Sequence, residues 1–395
     1  MGIPQPRNIC RFWAGFICAL MIGLFQATAH AQTWATQTVD AQKLFREFAP
    51  RAIAIDAGGH PHIVYGQDHL YHVYHDGSVW RQEVVDNSPQ VGEFAGIAID
   101  TLNRIHVSYY DAANGDLKYA TNRTGAWVSL TVDSDDDVGR YAAIALDGSN
   151  DAHISYYDAT NDDLKYATNR FGAWTSVIVD SADDVGQYTS IALDGANDAH
   201  ISYYDATHFD LKYATNASGG WVPETVDSGG NMGLYSSLAI SGGSDAAHIS
   251  YYDSTNRDLK YTTNGSGAWV SETVESGGNV GEFTSIALDG SDKVHISYYD
   301  STGTALKYAT NTPTNPGDPN VWVDTPLDTG GDVGKYSSIA LHIPLAGGPV
   351  VHISYFNATL NELKYATPDG LGGCDLSTVD PVSYTHLTLP TIYSV

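Results

Sequence analysis

Cysteine is nearly absent from this 395-residue chain: there are three, and two of them, Cys10 and Cys18, lie close to the N-terminus. With those two set apart, Cys374 has no partner in the chain, which excludes an intramolecular disulfide framework. Basic residues are scarce as well, with 19 Lys and Arg against 46 Asp and Glu and a formal charge of −27. A surface of that sign repels phosphate backbones and anionic headgroups, so nucleic acid and anionic membranes are poor partners and none is expected. Long apolar runs are missing beyond the first two dozen residues, and no segment reaches the roughly 20 residues of a membrane-spanning helix. Helical periodicity of useful length is also lacking after residue 31, which leaves strands and turns to build the fold.

The two ends differ from the rest. Arg7 and Arg11 precede an apolar run from Phe12 to Leu24, and Ala29-His30-Ala31 follows. That order is a secretory signal peptide over residues 1–31 with an A-x-A cleavage site. The chain is therefore expected to be exported, to the extracellular space or a periplasm. The segment from Val382 to Ile392 resembles a translated sequencing-library adapter and matches nothing in the repeats, so residues 381–395 read as a non-native tail.

What the chain does have is a repeat of about 47 residues, present seven times over residues 32–380. Its clearest copy reads His153-Ile154-Ser155-Tyr156-Tyr157-Asp158, then Leu164-Lys165-Tyr166-Ala167-Thr168-Asn169, then Trp174. The anchoring histidines are His62, His106, His153, His200, His248, His295 and His352. Each copy holds four short segments rich in β-branched and aromatic residues, separated by Gly, Asn and Asp. In the third they are Ala143 to Asp147, His153 to Asp158, Leu164 to Asn169 and Trp174 to Asp180. Four antiparallel strands per repeat, seven times over, predict an all-β, seven-bladed β-propeller. Small apolar triplets such as Ile144-Ala145-Leu146 suit innermost strands around a crowded channel. The segment Trp34 to Asp40 matches a fourth strand without its first three, so it is expected to pair beside Leu363 to Thr367 and close the ring. Cys374 to Asp380 also resembles a fourth strand, which leaves an eight-bladed ring as the alternative.

The turn Thr121-Asn122-Arg123-Thr124-Gly125-Ala126-Trp127 recurs as Thr168 to Trp174 and Thr263 to Trp269. It resembles a degenerate Asp-box turn of bacterial-neuraminidase-type (BNR) repeats, with Asn for the box aspartate and Trp one residue early. The resemblance spans about Trp34 to Asp380 and implies the secreted bacterial, sialidase-like propeller group, which includes glycosidases, lyases, lectins and plain scaffolds. A sialidase also needs an arginine triad, and Arg46, Arg51, Arg81, Arg104, Arg123, Arg140, Arg170 and Arg257 show no such pattern. Sialidase activity is not carried over.

Loops between the second and third strands, and loops leading into the next blade, fall on one end of the ring and make it acidic. Within it, Asp133, Asp135 and Asp137, followed by Asp183 and Asp184, are the candidate metal ligands; no cofactor is required, and Ca²⁺ is the ion such oxygens would hold. The repeated histidines are read as strand-to-strand hydrogen-bonding groups. Lys118, Lys165, Lys212, Lys260, Lys307 and Lys364 are read as partners of nearby blade acids. The Tyr-Tyr-Asp units offer a ring to stack on sugar C–H faces and an acid to accept hydroxyl protons. That makes Tyr110, Asp111, Tyr157, Asp158, Tyr204, Asp205, Tyr252, Asp253, Tyr299 and Asp300 the candidate ligand-binding set. An enzyme needs one distinct centre, and only the first repeat deviates, gathering His60, His62, Tyr65 and His69 as alternative acid-base residues. Three functions stay open: a non-catalytic module binding carbohydrate or another extracellular polymer, a polysaccharide-active glycosidase or lyase centred on the first blade, and an interaction domain of a larger surface protein.

Overall fold

Each repeat folds as one antiparallel sheet, because alternating β-branched and aromatic segments joined by tight polar turns pair most readily with their sequence neighbours. The computed structural model describes residues 34–41, 52–66, 68–312, 321–345 and 347–368. In the third blade the strands are Val138–Leu146, Ala152–Asp158, Asp163–Thr168 and Thr175–Asp180, ordered from the axis outward. Seven such sheets surround a central axis as a seven-bladed β-propeller, as expected.

The ring closes as expected too. The last blade is built from Val333–His342, Val350–Asn357 and Glu362–Pro368, with Trp34–Ala41 as its outermost strand. The register runs antiparallel from Trp34↔Pro368 to Ala41↔Glu362. Trp34–Ala41 is thus held by the last described strand without a covalent bond. The expected signal peptide, the residue 381–395 tail and the Cys374 to Asp380 segment lie outside the described residues.

Second strands are buried over their whole length, Ala152–Asp158 being the pattern, because a blade packs on each face. The core accordingly lies between blades: Leu117 and Tyr119 of the second pack with Ile144, Ile154 and Tyr156 of the third. Burying one such side chain contributes about 1.5 to 3 kcal/mol. The repeated tryptophan reaches back one blade, Trp174 lying edge-on to Tyr119 at 5.1 Å and Trp221 to Tyr166 at 5.0 Å.

Repeated polar residues tie the same interfaces. Tyr156 and Lys165 donate to Asp133 of the preceding blade at 2.5 and 2.6 Å. The equivalent trios are Tyr109, Lys118 and Asp86; Tyr203, Lys212 and Asp180; Tyr298, Lys307 and Glu275; and Tyr355, Lys364 and Asp328. Burial pushes Asp133 up, but hydrogen bonds from Lys165 and Tyr156 outweigh it and hold the carboxyl below the usual carboxylate range. The histidines bond across strands as anticipated: His153 Nδ1 to the Tyr166 hydroxyl at 2.5 Å, and His106 likewise to Tyr119.

Candidate functional site

One difference from the sequence expectation shapes the site. The innermost strand of the third blade begins at Val138 rather than near Ala143, and its pairing with the second strand slips twice, between Val138 and Arg140 and between Arg140 and Ala143. Gly139 makes the slip possible: its φ is +105°, and a Cβ there would sit 2.7 Å from Leu117 Cα of the neighbouring blade. Two residues on, Tyr141 takes φ +54°. Bulges of this kind re-aim side chains, and here the re-aimed side chain is an aromatic ring.

Among the described residues the device recurs in six blades. Phe94, Tyr141, Tyr188, Tyr235, Phe283 and Tyr336 all have φ between 51° and 57°. A left-handed conformation costs a non-glycine residue about 1 to 2 kcal/mol. Successive ring centroids are 4.6, 4.8, 4.9, 4.6 and 4.4 Å apart, a continuous aromatic arc. Around a seven-fold ring that spacing puts the centroids about 5 Å from the axis. Phe94 is buried and the other five are partly exposed. Just below the arc, triplets such as Ile144-Ala145-Leu146 line a channel of about 520 Å³. The arc therefore borders the upper mouth of the channel, at the end where the acidic loops gather.

The candidate ligand-binding tyrosines lie behind this arc. Tyr110, Tyr157, Tyr204, Tyr252 and Tyr299 are 3 to 6% exposed. Their rings back the arc at 6.2 to 6.3 Å between centroids. Their hydroxyls donate to loop side chains: Tyr110 to Asp137 at 2.7 Å, Tyr157 to Asp162 and Asp184, Tyr204 to Asn231, Tyr252 to Asn279 and Tyr299 to Asp332. The paired acids cap their own turns. Asp158 accepts from the Thr160 and Asn161 amides at 3.1 and 3.0 Å and from Asn161 Nδ2 at 3.0 Å. Asp111, Asp205 and Asp253 do the same, and Asp300 accepts from the Gly303 amide.

The candidate metal ligands point to different partners. Asp133 holds Tyr156 and Lys165, Asp137 holds Tyr110 and Arg140, and Asp184 accepts from Tyr157 and Gln187, while Asp135 and Asp183 are exposed. Among the described residues no three His, Cys, Asp or Glu side chains converge as a metal site.

The first-blade set is divided between the two ends of the blade. His69 sits in the upper turn, its Nδ1 2.8 Å from the Ser88 carbonyl, and Tyr65 is buried and accepts from Gln82. His60 and His62 lie at the lower end, about four strand residues or roughly 13 Å away. There a different group forms: His62 Nδ1 is 3.0 Å from His72 Nε2, His72 Nδ1 is 2.8 Å from Glu83, and Asp56 lies 3.1 Å from His60. Burial, reinforced by His72, lowers the His62 pKa to about 4. His72 occupies the place of the tyrosine that partners the repeated histidine elsewhere. The His62–His72 pair thus stands where the other blades have their strand-to-strand His–Tyr bond, while His60 and His69 bond to turn and loop oxygens.

Sequence reasoning did not find the arc. The signal was available as a recurring Val/Met-Gly-x-Tyr/Phe three residues before each apolar triplet, but it resembles a loop because the bulge breaks strand alternation.

No family model and no curated protein matches the chain. Solved structures share the fold: a PL25 ulvan lyase at TM-score 0.55 and 12% identity, over 83% of this chain and 94% of that one. The polysaccharide lyase Uly1 aligns at TM-score 0.52 and 10% identity, over 87% and 93%. The Aleuria aurantia lectin aligns at 0.47 and 13%, over 76% and 96%. The propeller architecture thus has lectins and polysaccharide lyases among its structural neighbours, and at these identities the likeness is one of fold.

Proposed function

We propose that the protein is an exported, non-catalytic glycan-binding propeller, its ligand seated on the aromatic arc at the upper channel mouth. The arc itself carries the reading. Part-exposed rings, fixed by strained backbone and backed by a second tier of tyrosines, form a rigid apolar surface of the kind that stacks on pyranose C–H faces. The surrounding Asp, Asn and tyrosine hydroxyls supply acceptors and donors for sugar hydroxyls. Near-identical copies in six blades suit several weak contacts along one polymer better than a single reaction centre.

The test is binding to an immobilised glycan panel by wild type, Tyr188→Leu and Tyr235→Leu, with Leu keeping the apolar volume. Each stacked ring contributes about 0.5 to 1.5 kcal/mol, so each variant is expected to bind about two- to tenfold more weakly at unchanged fold. Equal binding by wild type and both variants overturns the reading. The His62–His72–Glu83 chain favours a second reading, an enzyme with its centre on the lower end of the first blade. Release of unsaturated or reducing sugar that His72→Gln abolishes would establish it.

A further inference from the structure

The upper face is unevenly charged around the arc. Behind Tyr110, Asp137 is neutralised by Arg140 at 2.6 Å, and behind Tyr299, Asp332 is neutralised by Lys335 at 2.7 Å. Between these two points two basic side chains lie in the loops, His208 paired with Asp205 at 3.1 Å and Arg257, whose charge lowers the Tyr252 phenol, but neither forms an ion pair with the carboxylates beside the arc. Asp162 and Asp184 both accept from the Tyr157 hydroxyl, at 2.8 and 2.9 Å, so one phenol proton serves two carboxylates. Burial and then those carboxylates push the phenol pKa up, which keeps Tyr157 a donor. Tyr157 in turn lies 6.2 Å from the arc ring of Tyr141. Further round, Glu282 accepts from Asn279 Nδ2 at 2.9 Å. It precedes the arc ring of Phe283, and after burial its charge is the largest influence raising the Tyr252 phenol. Among the described residues, no Lys, Arg or His side chain pairs with Asp162, Asp184 or Glu282 within 4 Å.

We propose that the occupant of the arc is a chain of protonated amino sugars. Its pyranose faces stack on the rings from Tyr141 to Phe283, and its ammonium groups pair with Asp162, Asp184 and Glu282. Aromatic faces attract cations as well as C–H groups, so rings and carboxylates act in the same direction. A uronate or sulfated chain meets the opposite field, on a protein of formal charge −27. A basic peptide satisfies the carboxylates but offers no run of flat apolar faces to the arc. The inference rests on the arc being a glycan site.

The experiment is calorimetric titration of the full chain at about pH 6 and low salt with four hexamers: glucosamine, N-acetylglucosamine, galacturonate and lysine. Glucosamine is expected to bind about tenfold more tightly than its N-acetylated form, the combined scale of three exposed ion pairs, and galacturonate not at all. That gap should close in about 0.5 M salt, where charges are screened within a few ångströms, and in the Asp162→Asn/Asp184→Asn/Glu282→Gln variant. N-acetylglucosamine binding as tightly as glucosamine, galacturonate or hexalysine binding tightest, or a gap that survives the triple substitution overturns the amino-sugar proposal while leaving the arc as a site. Failure of glucosamine to bind at all likewise overturns the amino-sugar proposal, while the arc itself stands or falls on the glycan panel with Tyr188→Leu and Tyr235→Leu.

Discussion

Four blade interfaces share a buried hydroxyl pair: Thr189 with Ser155 at 2.6 Å, Ser236 with Ser202 at 2.9 Å, Thr284 with Ser250 at 2.9 Å and Ser337 with Ser297 at 3.0 Å. Between the second and third blades the corresponding residues are Ser108 and Ala142, both fully buried, and the Ser108 hydroxyl has no partner. An unpaired buried hydroxyl costs about 1 to 3 kcal/mol, and a made hydrogen bond contributes about 1 kcal/mol net. Ala142→Ser, which places a hydroxyl where Thr189 carries one, is therefore expected to stabilise the protein by about 1 kcal/mol. For a ring of this size that is about 1 to 2 °C in Tm. Urea unfolding followed by tryptophan fluorescence, run as a cycle with Ser108→Ala, isolates the bond: the gain should vanish when Ser108 is gone. Equal gain in both backgrounds, or none in the wild type, refutes the reasoning.

Other perturbations have definite signs. Burial lowers His248, His295 and His352 to a pKa of about 4, against about 6.5 unfolded. The unfolded chain then binds more protons below pH 6.5, so stability should be full above that pH and fall by up to about 3 kcal/mol per histidine as pH drops to 4. Urea midpoints flat from pH 7 to 4.5 would contradict it. The lowered carboxyls of Asp133, Asp180 and Asp328 add their loss only below the ordinary carboxylate range. Asp133→Ala removes the acceptor of Tyr156 and the nearer partner of Lys165, which keeps only Asp158 at 3.8 Å, and should cost about 3 kcal/mol by thermal melting. Deleting residues 34–41 removes the strand that completes the last blade and should abolish the cooperative monomeric transition. Gly139→Ala forces a Cβ against Leu117 at positive φ and should lower Tm by several degrees.

Blade number, strand order and the closing strand were legible because a fixed period with a stray fourth strand at the chain start admits few closed rings. The histidine roles and those of Lys118, Lys165, Lys212, Lys307 and Lys364 were legible for a related reason, since a repeated group is more simply a strap than a centre. Lys260 departs from the expectation, Asp227 holding Tyr251 with no ion pair to Lys260 among the described residues. The acids were harder. Asp158 capping a turn, Asp133 holding an interblade trio and Asp183 facing solvent are the same residue type in similar polar loops, and only the partners separate them. The arc was not legible, since Tyr141 owes its position to two register slips and a left-handed backbone that Gly139 permits. The Tyr-Tyr-Asp units carry the plainer sequence signal, but the fold places Tyr157 behind that surface and Tyr156 between blades.

The most direct measurement is calorimetric titration of wild type and the Tyr188→Leu/Tyr235→Leu double variant with the best glycan from the panel, alongside their melting curves. Loss of affinity of about tenfold or more, with the variant still folded, is the result predicted for a glycan site on the arc. Unchanged affinity in the double variant would show that the sugar binds elsewhere on the ring.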